Sequence, residues 1–157
     1  MLHLTLLGHS EEDSRIFLCK TGKKKLDQSD RYQTYITLKR EFGRENYIYD
    51  ITINRFRQSL ARLRLGANGL AINNQFLHKV PDTNCKICKI PETEIHFLLH
   101  CPLYVDLRRK YLVTVFDELY KFRSITPLLS NPDITKMRAL ATFSYHAFKR
   151  RQERMPN

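Results

Sequence analysis

The sequence has no tryptophan, so its nine phenylalanines and eight tyrosines must supply the aromatic part of any core. Hydrophobic residues make up 42% of the chain, which allows a packed interior and excludes wholesale disorder. A length of 157 residues suits one domain, or a compact domain with an appendage. No run of 18 apolar residues occurs, so no transmembrane helix is expected. The opening "MLHLTLLGHS" is apolar but short, lacks the basic start of a signal peptide, and runs at once into "EEDSR". Cysteine is scarce. There are four, and Cys19 stands far from the other three. That distribution does not make a disulfide framework and points to a reducing intracellular compartment, nucleus or cytoplasm.

Acidic charge is also in short supply. Sixteen Asp and Glu face 27 Lys and Arg, a formal net charge of +11. Residues 1–50 are close to neutral, and the basic surplus lies beyond them. Such a surplus suggests a surface directed at something acidic. RNA or DNA is the expected partner, an anionic membrane is the rival, and a merely solvated basic surface is the plainest alternative.

Residues 21–30, "TGKKKLDQSD", read as a polar connector between an appendage at 1–30 and a main body at 31–152, with a tail at 153–157. Asp30 can cap a helix through "RYQTYITLKREF", with Gly43 as its stop. "ENYIYDITI" is ambiguous. Asn54 reads as the N-cap of "RFRQSLARLRLG", a helix that ends at Gly66 and buries Phe56, Leu60 and Leu63. Its arginines form two columns, Arg55 with Arg62 and Arg57 with Arg64. Such columns either clamp phosphates or lie over the core and pair with carboxylates. Leu70, Ile72 and Phe76 are expected to dock onto this helix. Residues 103–122 give the clearest amphipathic pattern, with Tyr104, Leu107, Tyr111, Leu112, Val115, Phe116 and Leu119 on one face. Asn131 is the expected cap of a last helix with Pro132 at its first position. That helix should turn Ile134, Met137, Ala141, Tyr145 and Phe148 inward. The expected fold is mainly α, with a small loop-rich unit inserted at 80–101 and little or no sheet.

That unit holds the most informative spacing, Cys85-x2-Cys88-x7-His96-x4-Cys101. A C-x2-C turn directs two sulfurs to one point, and zinc takes four such ligands in a tetrahedron. Two neighbouring cysteines alone are more often small buried hydrophobes, but three with a histidine inside one short stretch point to one structural Zn2+. His100 competes with Cys101 as fourth ligand. On a regular helix His100 shares a face with His96, whereas Cys101 does not. Pro102, however, disfavours helical backbone at Cys101 and should free its sulfur to swing back. Cys2His2 with His100 therefore stays open. Three thiolates, a neutral imidazole and Zn2+ sum to a net negative charge, which Lys86 and Lys89 would offset.

The block "RFRQSLARLRLGANGLAINNQFLHKVPDTNCKICKIPETEIHFLLHCPLYVDLRRKYL" resembles the C-terminal zinc-binding (CCHC) region of non-LTR, LINE-type retrotransposon reverse transcriptases. There an Arg-rich helix with an "R-L-R" element precedes a C-x2-C…"E-H-F-L-L-x-C-P-x-Y" block, which "EIHFLLHCPLY" fits closely. The resemblance implies that Cys85, Cys88, His96 and Cys101 hold a structural zinc in a unit that grips RNA or DNA beyond the polymerase. The chain departs from the family pattern at Lys89, where a glycine is common. It also has no Y-x-D-D pair, G-x-S-x-G, P-loop or H-E-x-x-H. The expected role is thus a nucleic-acid-binding module without enzymatic activity. Arg55, Arg57, Arg62, Arg64, Lys86 and Lys89 would meet phosphates, and Lys149, Arg150, Arg151 and Arg154 would form a second patch. A zinc-stabilised protein-interaction module, or a decayed transposon remnant, is the alternative.

Overall fold

The structure, a computed structural model, describes residues 33–38, 45–73 and 82–155. The appendage at 1–30, the Asp30 cap, Gly43 and Phe76 lie outside the described residues. Among the described residues the fold is mainly helical. Its one β-like feature is an isolated antiparallel bridge between Asn84 and Pro91.

Six α-helices are described: α1 (Gln33–Leu38), α2 (Tyr47–Asp50), α3 (Asn54–Arg64), α4 (Val105–Tyr111), α5 (Thr126–Leu129) and α6 (Ile134–Arg154). The ambiguous "ENYIYDITI" supplies α2, whose Tyr47 is buried together with the following Ile51. Helix α3 begins one residue earlier than expected, with Ile53 at the cap position. Asn54 is its first helical residue, and its side chain accepts from Arg57 (3.2 Å) rather than from the backbone. The stop comes as expected: Gly66 has φ +66°, and Ala67 N–H donates to the Arg62 carbonyl at 2.9 Å, closing the last turn.

The core lies between α3 and α6. Leu60 and Leu63 of α3 and Met137, Leu140, Ala141, Phe143 and Ala147 of α6 are all buried. Phe97 sits at its centre, edge-on to Tyr104 (4.9 Å) and Phe143 (5.8 Å) and stacked on Phe148 (4.7 Å). Phe97, Leu98 and Leu99, three consecutive residues of the cysteine-rich unit, are buried. The unit therefore contributes directly to the main core.

Two expectations are corrected. The amphipathic stretch 103–122 is not one helix. A 3-10 turn (Pro102–Tyr104) leads into α4, which ends at Tyr111, and a second 3-10 turn (Leu119–Lys121) follows. The residues after α4, "LVTVF", include two valines and a threonine, whose branched side chains crowd a helix, and Glu118 adopts a left-handed backbone with φ +57°. The apolar face survives the break, because Leu112, Phe116 and Leu119 all remain buried. The cap of α6 is Asp133, not Asn131. Its carboxylate accepts from Thr135 N (2.8 Å) and reaches Lys136 N (3.5 Å), while Asn131 holds the Asp133 N–H at 3.0 Å. Helix α6 runs through Arg154, and Met155 after it is buried.

Candidate metal centre

Residues 84–91 form a tight reversal. Cys85 N–H donates to the Ile90 carbonyl, and Lys89 N–H to the Cys85 carbonyl, both at 2.8 Å. Lys89 has φ +60°, the left-handed conformation that glycine tolerates best. The turn therefore demands the backbone that a glycine would provide. Lys89→Gly should stabilise the metal-loaded protein by about 0.5–1 kcal/mol, read as a higher thermal midpoint with unchanged metal content. A lower midpoint would contradict the strain assigned to this turn.

The second pair of ligands comes from a π-helical turn, His96–His100. Thr93 starts the segment, its hydroxyl accepting from His96 N at 3.2 Å. Cys101 N–H reaches back five residues to the His96 carbonyl at 2.8 Å, and Cys101 itself is extended (φ −60°, ψ 123°). On an α-helix, residues five apart point about 140° away from each other. A hydrogen bond spanning five residues closes a wider turn and brings such residues nearly into line. The widened turn and the extended residue before Pro102 together carry the Cys101 sulfur to the His96 side. His100 is exposed and lies outside the cluster.

Cys85, Cys88, His96 and Cys101 converge, each offering one ligand atom, and these atoms all lie within 4.8 Å of one another. The Cys101 sulfur is 4.0 Å from that of Cys85 and 3.8 Å from that of Cys88. A tetrahedron with metal–sulfur bonds near 2.3 Å has edges of about 3.8 Å. His96 is only 4% exposed, and neither of its ring nitrogens has a hydrogen-bond partner. A buried, unpartnered imidazole costs about 1–3 kcal/mol, which coordination removes. The residues present thus fit a metal ion. Burial, followed by the neighbouring cysteines, pushes the Cys101 thiol up to about 12; burial also raises Cys88 and lowers His96.

No family model, no curated protein and no solved structure matches the chain. The site must be read from its own geometry.

Its surroundings hold three residues that the sequence did not single out. Glu92 (2% exposed) grips Arg151 of α6 with both oxygens, at 2.8 and 2.7 Å, and accepts from Ala71 N at 2.7 Å. Glu94 accepts from the Asn73 amide at 2.7 Å, and that same amide donates to Asn68 at 2.9 Å. Arg108 of α4 is 2% exposed and donates to the Cys101 carbonyl at 2.5 Å, yet its Nε and Nη1 have no partner. A glutamate in a polar loop and an arginine on a short helix carry no sequence signal of burial.

The ten cations assigned to nucleic acid divide. Arg64 is buried, paired with Glu45 (3.1 Å), bonded to the Leu129 carbonyl and placed over the Tyr47 ring. Arg57 donates to the Ile48 carbonyl at 2.9 Å, at the end of α2. Arg150 makes a two-pronged contact with Asp106 (2.5 and 2.8 Å), holding that carboxylate down at about 2, and also bonds the Leu103 carbonyl. Arg151 is tied to Glu92. These four turn to partners within the protein, which amends the expectation that they meet phosphates. Arg55, Arg62, Lys86, Lys89, Lys149 and Arg154 are exposed.

Proposed function

We propose that the chain is a zinc-stabilised nucleic-acid-binding module, similar to the region beyond the polymerase in non-LTR retrotransposon reverse transcriptases and without polymerase activity of its own. The observation that carries this reading is the closed Cys3His arrangement, whose sulfur spacing suits a tetrahedral zinc. Zinc there would cross-link the 84–91 turn to the π-helical turn, and four protein ligands leave no position for a reacting water. Three thiolates, a neutral imidazole and Zn2+ would carry a net −1, which the buried Arg108 guanidinium, bonded to the Cys101 carbonyl, would help Lys86 and Lys89 to offset.

The basic surplus supports the nucleic-acid role. Six exposed cations on a braced helical body give phosphate affinity with little sequence preference. A docking role for the 103–122 face has less support, because Leu119 is buried and Tyr111 and Val115 are half-buried against the core. The test is fluorescence anisotropy of the zinc-loaded protein with labelled RNA and DNA oligonucleotides over a salt series. A steep negative slope of log K against log salt is expected, with about 0.7–0.9 per phosphate neutralised. A flat slope, or no binding at low salt, removes the nucleic-acid role.

A further inference from the structure

Between α3 and α6 lies an open cleft of about 520 Å3, lined by Arg55, Arg62, Asn68, Tyr145 and Lys149 among others, with no acidic residue among its lining. Arg55 and Arg62 are two turns apart on α3, about 10 Å along the axis. Lys149 faces them from α6. Among the described residues, no carboxylate pairs with any of these three cations. The arginines on the other column of the same helix have protein partners. The two columns thus differ in kind: one ties the fold together, and the other lines a cavity.

We propose that this cleft is a binding track for single-stranded nucleic acid, with the backbone phosphates between Arg55, Arg62 and Lys149 and a base against the Tyr145–Arg55 stack. This rests on the nucleic-acid reading above and names the form of its ligand. The Arg55 guanidinium lies over the Tyr145 ring, 5.4 Å from its centroid, and over Phe56 at 5.3 Å, so a flat cationic group backed by aromatic rings lines the cleft. Charged grooves with aromatic or guanidinium platforms suit unpaired bases, whose faces are free to stack. A duplex turns its bases inward and offers such a platform only phosphates. His146, next along α6, is held below its ordinary value first by burial and then by the nearby charges of Lys110, Arg55, Lys149 and Arg150.

The cleft is also coupled to the metal centre. Asn68 on its wall bonds Asn73, which bonds Glu94, two residues before His96. The neighbouring Ala71 is held by Glu92. Metal binding therefore braces one wall of the track.

The test uses the zinc-loaded full chain with a labelled 12-mer of oligo-U, the same length of oligo-dT, and a mixed 12-bp duplex. Single strands should bind about tenfold or more tighter than the duplex at equal salt. R62A/K149A should reduce the salt slope for single strands by about 2 and abolish that preference. The charge-matched pair R109A/R123A, exposed residues outside the cleft, should keep the preference. Tyr145→Leu should weaken single-strand binding about tenfold while leaving the salt slope in place, and Tyr145→Phe should restore it. Duplex binding as tight as single-strand binding overturns the proposal but leaves the nucleic-acid reading intact. So does R62A/K149A binding like the unaltered protein. Absence of binding to all three probes overturns both.

Discussion

Cys85→Ser should unfold the domain rather than merely release an ion. Cys85 is fully buried, and the π-helical turn that leads into Cys101 also supplies Phe97, Leu98 and Leu99 to the main core. Structural zinc contributes on the order of 10 kcal/mol in small domains. Whole domains are stable by only about 5–15 kcal/mol. Loss of a ligand should therefore remove the metal and most of the cooperative helical signal together. Metal analysis of the purified protein, with far-ultraviolet circular dichroism before and after chelation, checks this: one zinc per chain is expected, and helicity should fall on its removal. His100→Ala should keep the zinc, because His100 is exposed and outside the cluster. A chelated protein with an undiminished cooperative melt would sink the structural role of the metal.

The pH dependence has opposite signs in the two forms. In the metal-free fold, burial raises the Cys101 thiol from 9.0 to about 12. A raised pKa favours the folded state below the unfolded value and loses that benefit as pH climbs from about 9 towards 12. In the loaded protein the same thiols must be ionised, so protons compete with the metal and acidification releases it.

Glu92→Gln should destabilise the metal-loaded protein by about 3–5 kcal/mol, because it leaves the Arg151 guanidinium buried without its counter-charge. Arg151 is 8% exposed. Burial pulls its pKa down, but the two-pronged bond to Glu92 overrides that, and the net direction is up. The same change weakens the acceptor for Ala71 N–H. The double variant Glu92→Met/Arg151→Leu should recover much of the loss, since apolar residues of similar size replace a buried ion pair at little net cost. Urea unfolding of both variants, with metal content held equal, measures this. A Glu92→Gln protein within about 1 kcal/mol of the unaltered chain would show that the pair does not pin the cysteine-rich turn to α6.

Much of the helical frame was legible in the sequence. The stripe Leu60 and Leu63, the stop at Gly66, and the inward positions Met137 and Ala141 follow from helical spacing and backbone sterics. The cluster was legible down to a choice between Cys101 and His100, and the structure gathers Cys101 with Cys85, Cys88 and His96. The widened turn was not legible, because regular spacing cannot reveal where a helix shifts to bonds spanning five residues. The length of the 103–122 segment was overread for a related reason: an apolar face persists whether or not the backbone stays helical.

The fate of the arginines shows the same limit most clearly. By itself the sequence determined that four arginines surround a buried stripe, and that three cysteines and a histidine stand at metal-ligand spacing. Those are short-range facts, set by backbone geometry within a turn or two. Only the tertiary structure decided that Arg64 finds Glu45, that Arg151 finds Glu92, and that Arg55 and Arg62 are left facing Lys149 across a cleft. An ion pair depends on which distant segment packs alongside, and a guanidinium has the same chemistry before that neighbour arrives.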